Sequence, residues 1–322
     1  MINIFFVLIK NLKMNINSTK TEQAELIFNC YIYTSLSSIG IIALAISLFI
    51  LFNKQYKENV YNYIRMDVLF SLLTITFYAF RAIYYCPNTY GIYINCGLHI
   101  MSTYFRNVFD LMAIMFTIIS SIECYSSLKN PLGNNLLSKI SYKLVTSVVL
   151  VMSSSLFLYR LFEYDIRSEL NRSNHTLYLL KKTNFTKSST YTFNRMMSFV
   201  ISNGITLFAL IFTSILIFLT TRNKIDVKPS EINHQVRLLI YANSLNAIIA
   251  RTPLLITLFL DFAFVSNRDV FNIISMIGLT LLCLSYSIKF LLFYHVNNIF
   301  RTLFHYYTLI AYDYFKYKLS LN

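Results

Sequence analysis

Apolar residues along this chain follow neither a two-residue alternation nor a narrow helical stripe. They run on continuously for about 20 positions at a time, the length a helix needs to cross a bilayer. Seven such runs occupy about residues 31–52, 61–85, 96–124, 141–162, 196–221, 237–262 and 270–294, with polar connections between them. In lipid every backbone N–H and C=O must find its partner inside the segment, so runs of this length are predicted to be helices. Barrel strands are excluded for these runs, because a strand between lipid and lumen would alternate. Beyond the seventh run the pattern changes. From Asn297 to Tyr312 the apolar residues Phe300, Leu303, Phe304, Tyr307 and Ile310 recur at helical spacing among polar ones. That spacing predicts an amphipathic helix in the headgroup region, with a disordered tail as the alternative. The expected fold is an all-α membrane protein: a seven-transmembrane helix bundle with an amphipathic eighth helix. Residues 1–30 form the N-terminal tail, 31–296 the bundle, and 297–322 the amphipathic helix and a short tail.

Composition narrows the function classes. Of 322 residues, 56% are hydrophobic and only 13% charged, well short of the quarter or so found in soluble domains. The net charge of +14 raises nucleic acid as a partner, but the Lys and Arg residues are scattered over short connections instead of lining one face. Basic loops at a lipid surface account for them more simply. Five cysteines, Cys30, Cys86, Cys96, Cys124 and Cys283, include no CxxC pair and no His/Cys cluster of ligand spacing, so neither a metal nor a cofactor is expected. Without a nucleophile motif or a Gly-rich phosphate loop, an enzyme is not expected either. The apolar stretch Ile2 to Ile9 lacks a basic leader and a small-residue cleavage site, so no cleaved signal peptide is expected, and Met14 is an alternative start. Nor is there an internal repeat or a matched pair of Gly/Pro-broken spans such as transporters use.

Orientation follows from sugar acceptors. The sequons at Asn17, Asn171, Asn174 and Asn184 all fall outside the cell if the N-terminus does, one in the tail and three in the loop between the fourth and fifth runs. The short loops then left inside carry basic residues from Lys54 to Lys228, although the long outer loop is basic too. A multi-pass plasma-membrane protein with an extracellular N-terminus is expected. Asp67, Arg106, Asp110, Arg251 and Lys289 are charges that lie within the apolar runs. A lone charge there costs about 2.5–3.5 kcal/mol, so each should be paired or face water. Arg106 and Asp110 stand four residues apart and can pair locally.

Several short motifs share an order with one receptor family. The third run ends in SSIECYSSLKNPL, with Glu123, Tyr125, Pro131 and Leu132 at the places of an Asp/Glu-Arg-Tyr triplet and a following Pro-Leu. Asn62 and Asp67 in NYIRMD match an Asn-Leu-Ala-x-x-Asp pattern, and SYSIKFLLFYHVNNIFR matches an Asn-Pro-x-x-Tyr segment followed by Phe300-Arg301. Pro253 sits where a helix-bending proline belongs. Over residues 31 to about 305 the chain thus resembles the rhodopsin-like (class A) G-protein-coupled receptors, as a divergent member. The chain also departs from the pattern: Cys124 replaces the triplet arginine, Arg251 replaces a tryptophan, Lys289 replaces an asparagine, and Phe290 and Phe293 stand where the motif has its Pro and Tyr.

The resemblance implies a cell-surface receptor that binds an extracellular ligand and signals through a heterotrimeric G protein, with Glu123, Cys124 and Tyr125 facing that partner. A non-coupling, decoy or chemosensory receptor is the alternative, followed by a ligand-gated channel of the insect chemoreceptor kind with its N-terminus inside. By the same mapping Asp67 faces Lys289 in place of a bound sodium ion, and Asp110 faces Arg251 beneath the ligand pocket, as polar switch pairs or as purely structural ones. Arg106 occupies the place where amine receptors carry an Asp, so a peptide or small anionic ligand is expected over an amine. Tyr104, Arg81, Arg160 and Glu163 are expected near the vestibule. The family ties its third helix to the second outer loop through a disulfide; here residues 163–195 hold no cysteine. A Cys86–Cys96 bridge is the expected substitute, with two free thiols as the alternative.

Overall fold

In a computed structural model the described residues are 31–56, 59–84, 93–129, 140–170, 176–223, 231–262 and 268–320. Four long helices come first: α1 (Thr34–Leu51), α2 (Asn59–Tyr84), α3 (Tyr93–Lys129) and α4 (Tyr142–Phe157), the last ending in a 3₁₀ turn over Leu158–Phe162. An antiparallel hairpin follows, β1 (Tyr164–Leu170) and β2 (Thr176–Lys182), paired from Tyr164 with Lys182 to Leu170 with Thr176. Next come α5 (Ser189–Phe199), a π-helical turn (Val200–Ile205) and α6 (Thr206–Asn223), which together make one fifth rod. The chain closes with α7 (Glu231–Phe262), α8 (Arg268–Val296) and α9 (Asn298–Ser320). Seven of these helical rods are long and apolar enough to cross a membrane, from Tyr31–Leu51 to Ile274–Val296.

Their burial pattern is inverted relative to a soluble bundle. Phe208, Phe212 and Phe218 on α6, and Val151 and Met152 on α4, are exposed, as are Ile39, Ile42 and Phe49 on α1. Buried at the same level are Ser37, Ser47, Asp67, Ser71, Ser121, Ser244, Arg251 and Lys289. Water would not tolerate that exterior. Lipid would, and polar side chains between helices then serve as glue. Ser121 and Ser244 hydroxyls meet at 3.1 Å between α3 and α7, the Asn246 amide donates to the Ser285 carbonyl at 2.9 Å between α7 and α8, and the Tyr33 hydroxyl donates to the Met276 carbonyl at 3.1 Å. Close packing needs Gly40, where an added methyl would collide with Ile75 and approach the Ser287 hydroxyl to 2.6 Å.

Helix α9 begins where Asn297 caps it, its side-chain oxygen accepting from the Phe300 N–H at 3.1 Å. Phe300 stacks on Phe293 of α8 with ring centres 5.5 Å apart, and Phe300 and Leu303 are buried. Further along, Tyr306, Leu309, Ile310, Tyr312 and Tyr314 are exposed. The helix runs past the expected end at Tyr312. The bundle therefore has a hairpin end, where β1 and β2 lie, and a tail end, where α9 leaves.

Most expected spans are met within a few residues, and three are longer, α7 starting at Glu231 instead of 237. Helix α3 starts at Tyr93 and ends at Lys129, and the fifth rod starts at Ser189, because amphipathic ends continue an apolar helix for a turn or two. The hairpin occupies part of the long loop expected between the fourth and fifth runs. Residues 164–168 alternate Tyr164, Ile166 and Ser168 on one face with Asp165 and Arg167 on the other, the two-residue period of a strand.

Candidate functional site

Two layers of buried charge cross the bundle. The deeper one, nearer the tail end, joins α2 to α8: the Lys289 ammonium lies 2.5 Å from Asp67 Oδ1 and 2.9 Å from the Ser71 hydroxyl. Asn243 of α7 donates to the other Asp67 oxygen at 2.9 Å. Both ends of the pair are buried, Asp67 at 1% exposure and Lys289 at 4%. A lysine here works because both carboxylate oxygens and the ammonium have partners, which offsets the cost of removing them from water.

The second layer lies nearer the hairpin end. Arg251 of α7, fully enclosed at 2% exposure, places Nη2 2.6 Å from Asp110 Oδ1 of α3. Its Nη1 reaches across to the fifth rod, donating to the Ser202 carbonyl at 3.2 Å and to the Asn203 side-chain oxygen at 3.4 Å. Those two acceptors sit in the π-helical turn, whose wider winding re-aims its carbonyls away from the regular i→i−4 ladder. Tyr286 of α8 completes the cluster by donating to Asp110 Oδ1. One carboxylate and one guanidinium thus tie α3, the fifth rod, α7 and α8 together. Arg251 stands two residues before Pro253, which removes a backbone hydrogen bond from α7. The layer thus sits where two of the four helices are locally irregular. A small cavity lined by Asn246, Arg251, Ser285, Tyr286 and Lys289 separates it from the deeper pair, and Lys289 lies 5.5 Å from the Tyr286 ring centre. No protein-family model and no curated protein matches the chain.

Arg106 does not pair with Asp110, contrary to the local i, i+4 option. Its guanidinium stacks on Tyr78 of α2, 4.9 Å from the ring centre, and its Nη2 donates to the neighbouring Asn107 amide oxygen at 3.3 Å. Asp110 is turned instead toward α7 and α8. Tyr104 is turned toward α4: its hydroxyl donates to the Ser154 carbonyl at 3.4 Å. Two residues along a helix are about 200° apart, so Tyr104 and Arg106 cannot face the same way.

The expected Cys86–Cys96 bridge is not formed. Cys96 is a free, buried thiol whose Sγ donates to the Tyr178 carbonyl of β2 at 3.3 Å, and Cys86 lies outside the described residues. The sulfur is taken up by the hairpin backbone, so α3 and the long loop are joined at this position by a hydrogen bond. Tyr93 packs edge-on against Tyr178 beside it, ring centres 5.2 Å apart.

At the foot of the hairpin Glu163 is buried and accepts from Arg160 at 2.8 Å and from the Tyr191 hydroxyl at 3.0 Å. Burial pushes its carboxyl up, but the Arg160 charge and the hydrogen bonds from Arg160 and Tyr191 outweigh that and hold it below the ordinary glutamate range. Arg81 is half-buried near the same end. Of the sequons, Asn184 opens a 3₁₀ turn and is exposed, while Asn17, Asn171 and Asn174 lie outside the described residues. At the tail end Glu123 and Cys124 are buried and Tyr125 half-buried, and Glu123 Oε2 has no hydrogen-bond partner. Arg65 of α2 donates to the Leu51 and Tyr56 carbonyls and to the Asn62 side-chain oxygen. Pro131 and Leu132 lie outside the described residues.

Tyr286, Asn243, Asn203 and Ser71 are functional neighbours that sequence reasoning missed. Tyr286 carried a usable signal, standing three residues before Lys289 and so on the same helix face.

Proposed function

We propose that this chain is a cell-surface receptor of the rhodopsin-like kind, in the plasma membrane with its N-terminus outside. It takes an extracellular ligand, a peptide or small anionic molecule, at the hairpin end and passes occupancy to a heterotrimeric G protein at the tail end. The observation that carries this reading is the Asp110–Arg251 contact extended to Ser202 and Tyr286. A single buried ion pair spanning four helices has few intermediate arrangements, so a ligand that favours another one moves several helices together. Glycosylation of the outer segments, an amphipathic α9 on the inner lipid surface and G-protein contact through Glu123 to Tyr125 belong to the same proposal.

A second reading, a seven-span receptor that does not couple, is favoured by Cys124 at the triplet's arginine position and by the unpartnered Glu123 oxygen beside it. Nucleotide exchange on a panel of purified G proteins separates the two. The account expects measurable exchange with the intact chain, and Asp110→Asn raises the ligand-independent rate by roughly 5-fold or more, the scale of a typical coupling free energy. Exchange by no G protein, with Cys124→Arg restoring it, selects the non-coupling receptor.

A further inference from the structure

The outer side of the bundle carries a cleft near the hairpin end. It lies between α4 with its 3₁₀ turn and α5 at the head of the fifth rod, and its volume of about 610 Å³ is that of a site for a drug-sized molecule. Met152 and Ser155 line it from α4, Asn194 and Met197 from α5, and Phe185 from the turn before α5. Aromatic rings with partners on both sides keep the two helices spaced. Tyr159, also in the lining, is buried with its hydroxyl 2.8 Å from the Ser198 hydroxyl and its ring edge-on to Tyr191, centres 5.7 Å apart. Phe185 packs edge-on to Tyr191 at 5.6 Å and to Phe162 at 6.3 Å.

Depth and lining define the occupant. The cleft spans the last turns of the fourth crossing segment, Tyr142–Phe162, and the first turns of the fifth, Ser189–Arg222. In a bilayer that is the boundary between acyl chains and headgroups. Met152, Phe162 and Met197 are exposed there, which within a membrane means facing lipid. None of the described residues lining the cleft is charged, so a phosphate headgroup or a free carboxylate would find no counter-charge. Neutral polar groups are present nonetheless. The Thr190 hydroxyl and the Asn194 amide stand one turn apart on one face of α5 and have no hydrogen-bond partner among the described residues. Ser155, on the α4 side, donates to the Val151 carbonyl at 2.8 Å and keeps its acceptor capacity. An amide offers a donor and an acceptor together, which complements a single hydroxyl. Apolar matter gains little by leaving lipid for an apolar groove, so packing and that hydrogen bond select what stays. A flexible acyl chain loses rotamer freedom when it is held, and a fused-ring body does not.

We infer that this cleft is a site for a sterol, with its ring hydroxyl on Asn194 and Thr190 and its ring system against Met152, Tyr159 and Met197. The thioethers adapt to an irregular apolar surface, as such side chains do in cores. The inference requires a chain that crosses lipid and does not depend on the receptor reading.

The test is photolabelling of the full chain in phosphatidylcholine nanodiscs that contain a cholesterol analogue with a diazirine in its ring system and an alkyne on its tail, with labelled peptides mapped by mass spectrometry. Label is expected to concentrate in residues 152–162 and 185–197 and to be displaced by added cholesterol. Epicholesterol, which differs only in the orientation of its hydroxyl, is expected to displace it about 5-fold less well, the scale of one hydrogen bond. Asn194→Leu is expected to lower labelling by a similar factor, and Ser155→Phe, which fills the cleft from an exposed position, to abolish it. The comparison of epimers uses the wild type and stands whatever the variants do to folding. Label spread evenly over the lipid faces of α1 and α6, equal displacement by the two epimers, or unchanged labelling in a folded Ser155→Phe would overturn the assignment. So would a phosphatidylcholine with the diazirine on its acyl chain that labels the cleft as strongly and resists displacement by cholesterol. Sterol labelling without nucleotide exchange would retain this site and remove the coupling reading alone.

Discussion

The two charge layers use the same chemistry and differ in how completely it is satisfied. Around Asp67 each carboxylate oxygen has a donor, and Lys289 adds a hydroxyl acceptor. Around Asp110 a single oxygen serves both Arg251 and Tyr286, its side chain is 15% exposed, and an unpaired guanidinium stands one turn away. The first layer is a closed fastening. The second has a spare acceptor and a spare donor, which is what an exchange of partners requires. Saturated networks rigidify and partly saturated ones are where a structure has alternatives.

Breaking the closed layer should have the largest effect. Lys289→Met leaves Asp67 buried without its cation, and the expected loss is about 3–5 kcal/mol, seen as a lower unfolding midpoint and reduced surface expression. The pair Asp67→Leu with Lys289→Met is expected to recover most of it, since an apolar pair of similar volume replaces the charges. A double variant no better than the single would mean that the layer is not held as a pair.

Asp110→Asn should cost less, about 1–3 kcal/mol, because Arg251 keeps the Ser202 and Asn203 acceptors. Equal losses in Asp110→Asn and Lys289→Met would erase the distinction between the layers.

The smallest effect belongs to the hairpin foot. Glu163→Gln should cost about 0.5–1.5 kcal/mol near neutral pH. Because the folded carboxyl is held below its ordinary value of 4.5, its contribution is present above that value and disappears as pH falls through the folded one. Wild type and Glu163→Gln should therefore converge well below pH 4.5, and a gap that persists there would assign the stabilisation to packing.

Much of this was legible before the fold was seen. The rods announce themselves because lipid demands length and apolar continuity, and both can be read residue by residue. The few charges within those runs stand out for the same reason, so Asp67, Asp110, Arg251 and Lys289 are conspicuous, and the family resemblance assigned their partners. What escaped depends on rotation and on common residue types. Tyr104 lies only two positions from Arg106 yet faces another helix. Tyr286 and Asn203 belong to types found throughout apolar helices, and the π turn around Asn203 has no distinctive sequence. The hairpin was hidden by its charges, which mask a period of two in a segment that otherwise reads as loop.

Threading of the bilayer is the claim from which all else descends, and terminal epitopes read it directly. Tags fused to the two ends should give antibody access to the first in intact cells and to the second only after permeabilisation, with the segment at residues 164–182 open to added protease from outside. Both tags reached from one compartment, or a protected hairpin, would contradict an odd number of crossings with the hairpin end outward.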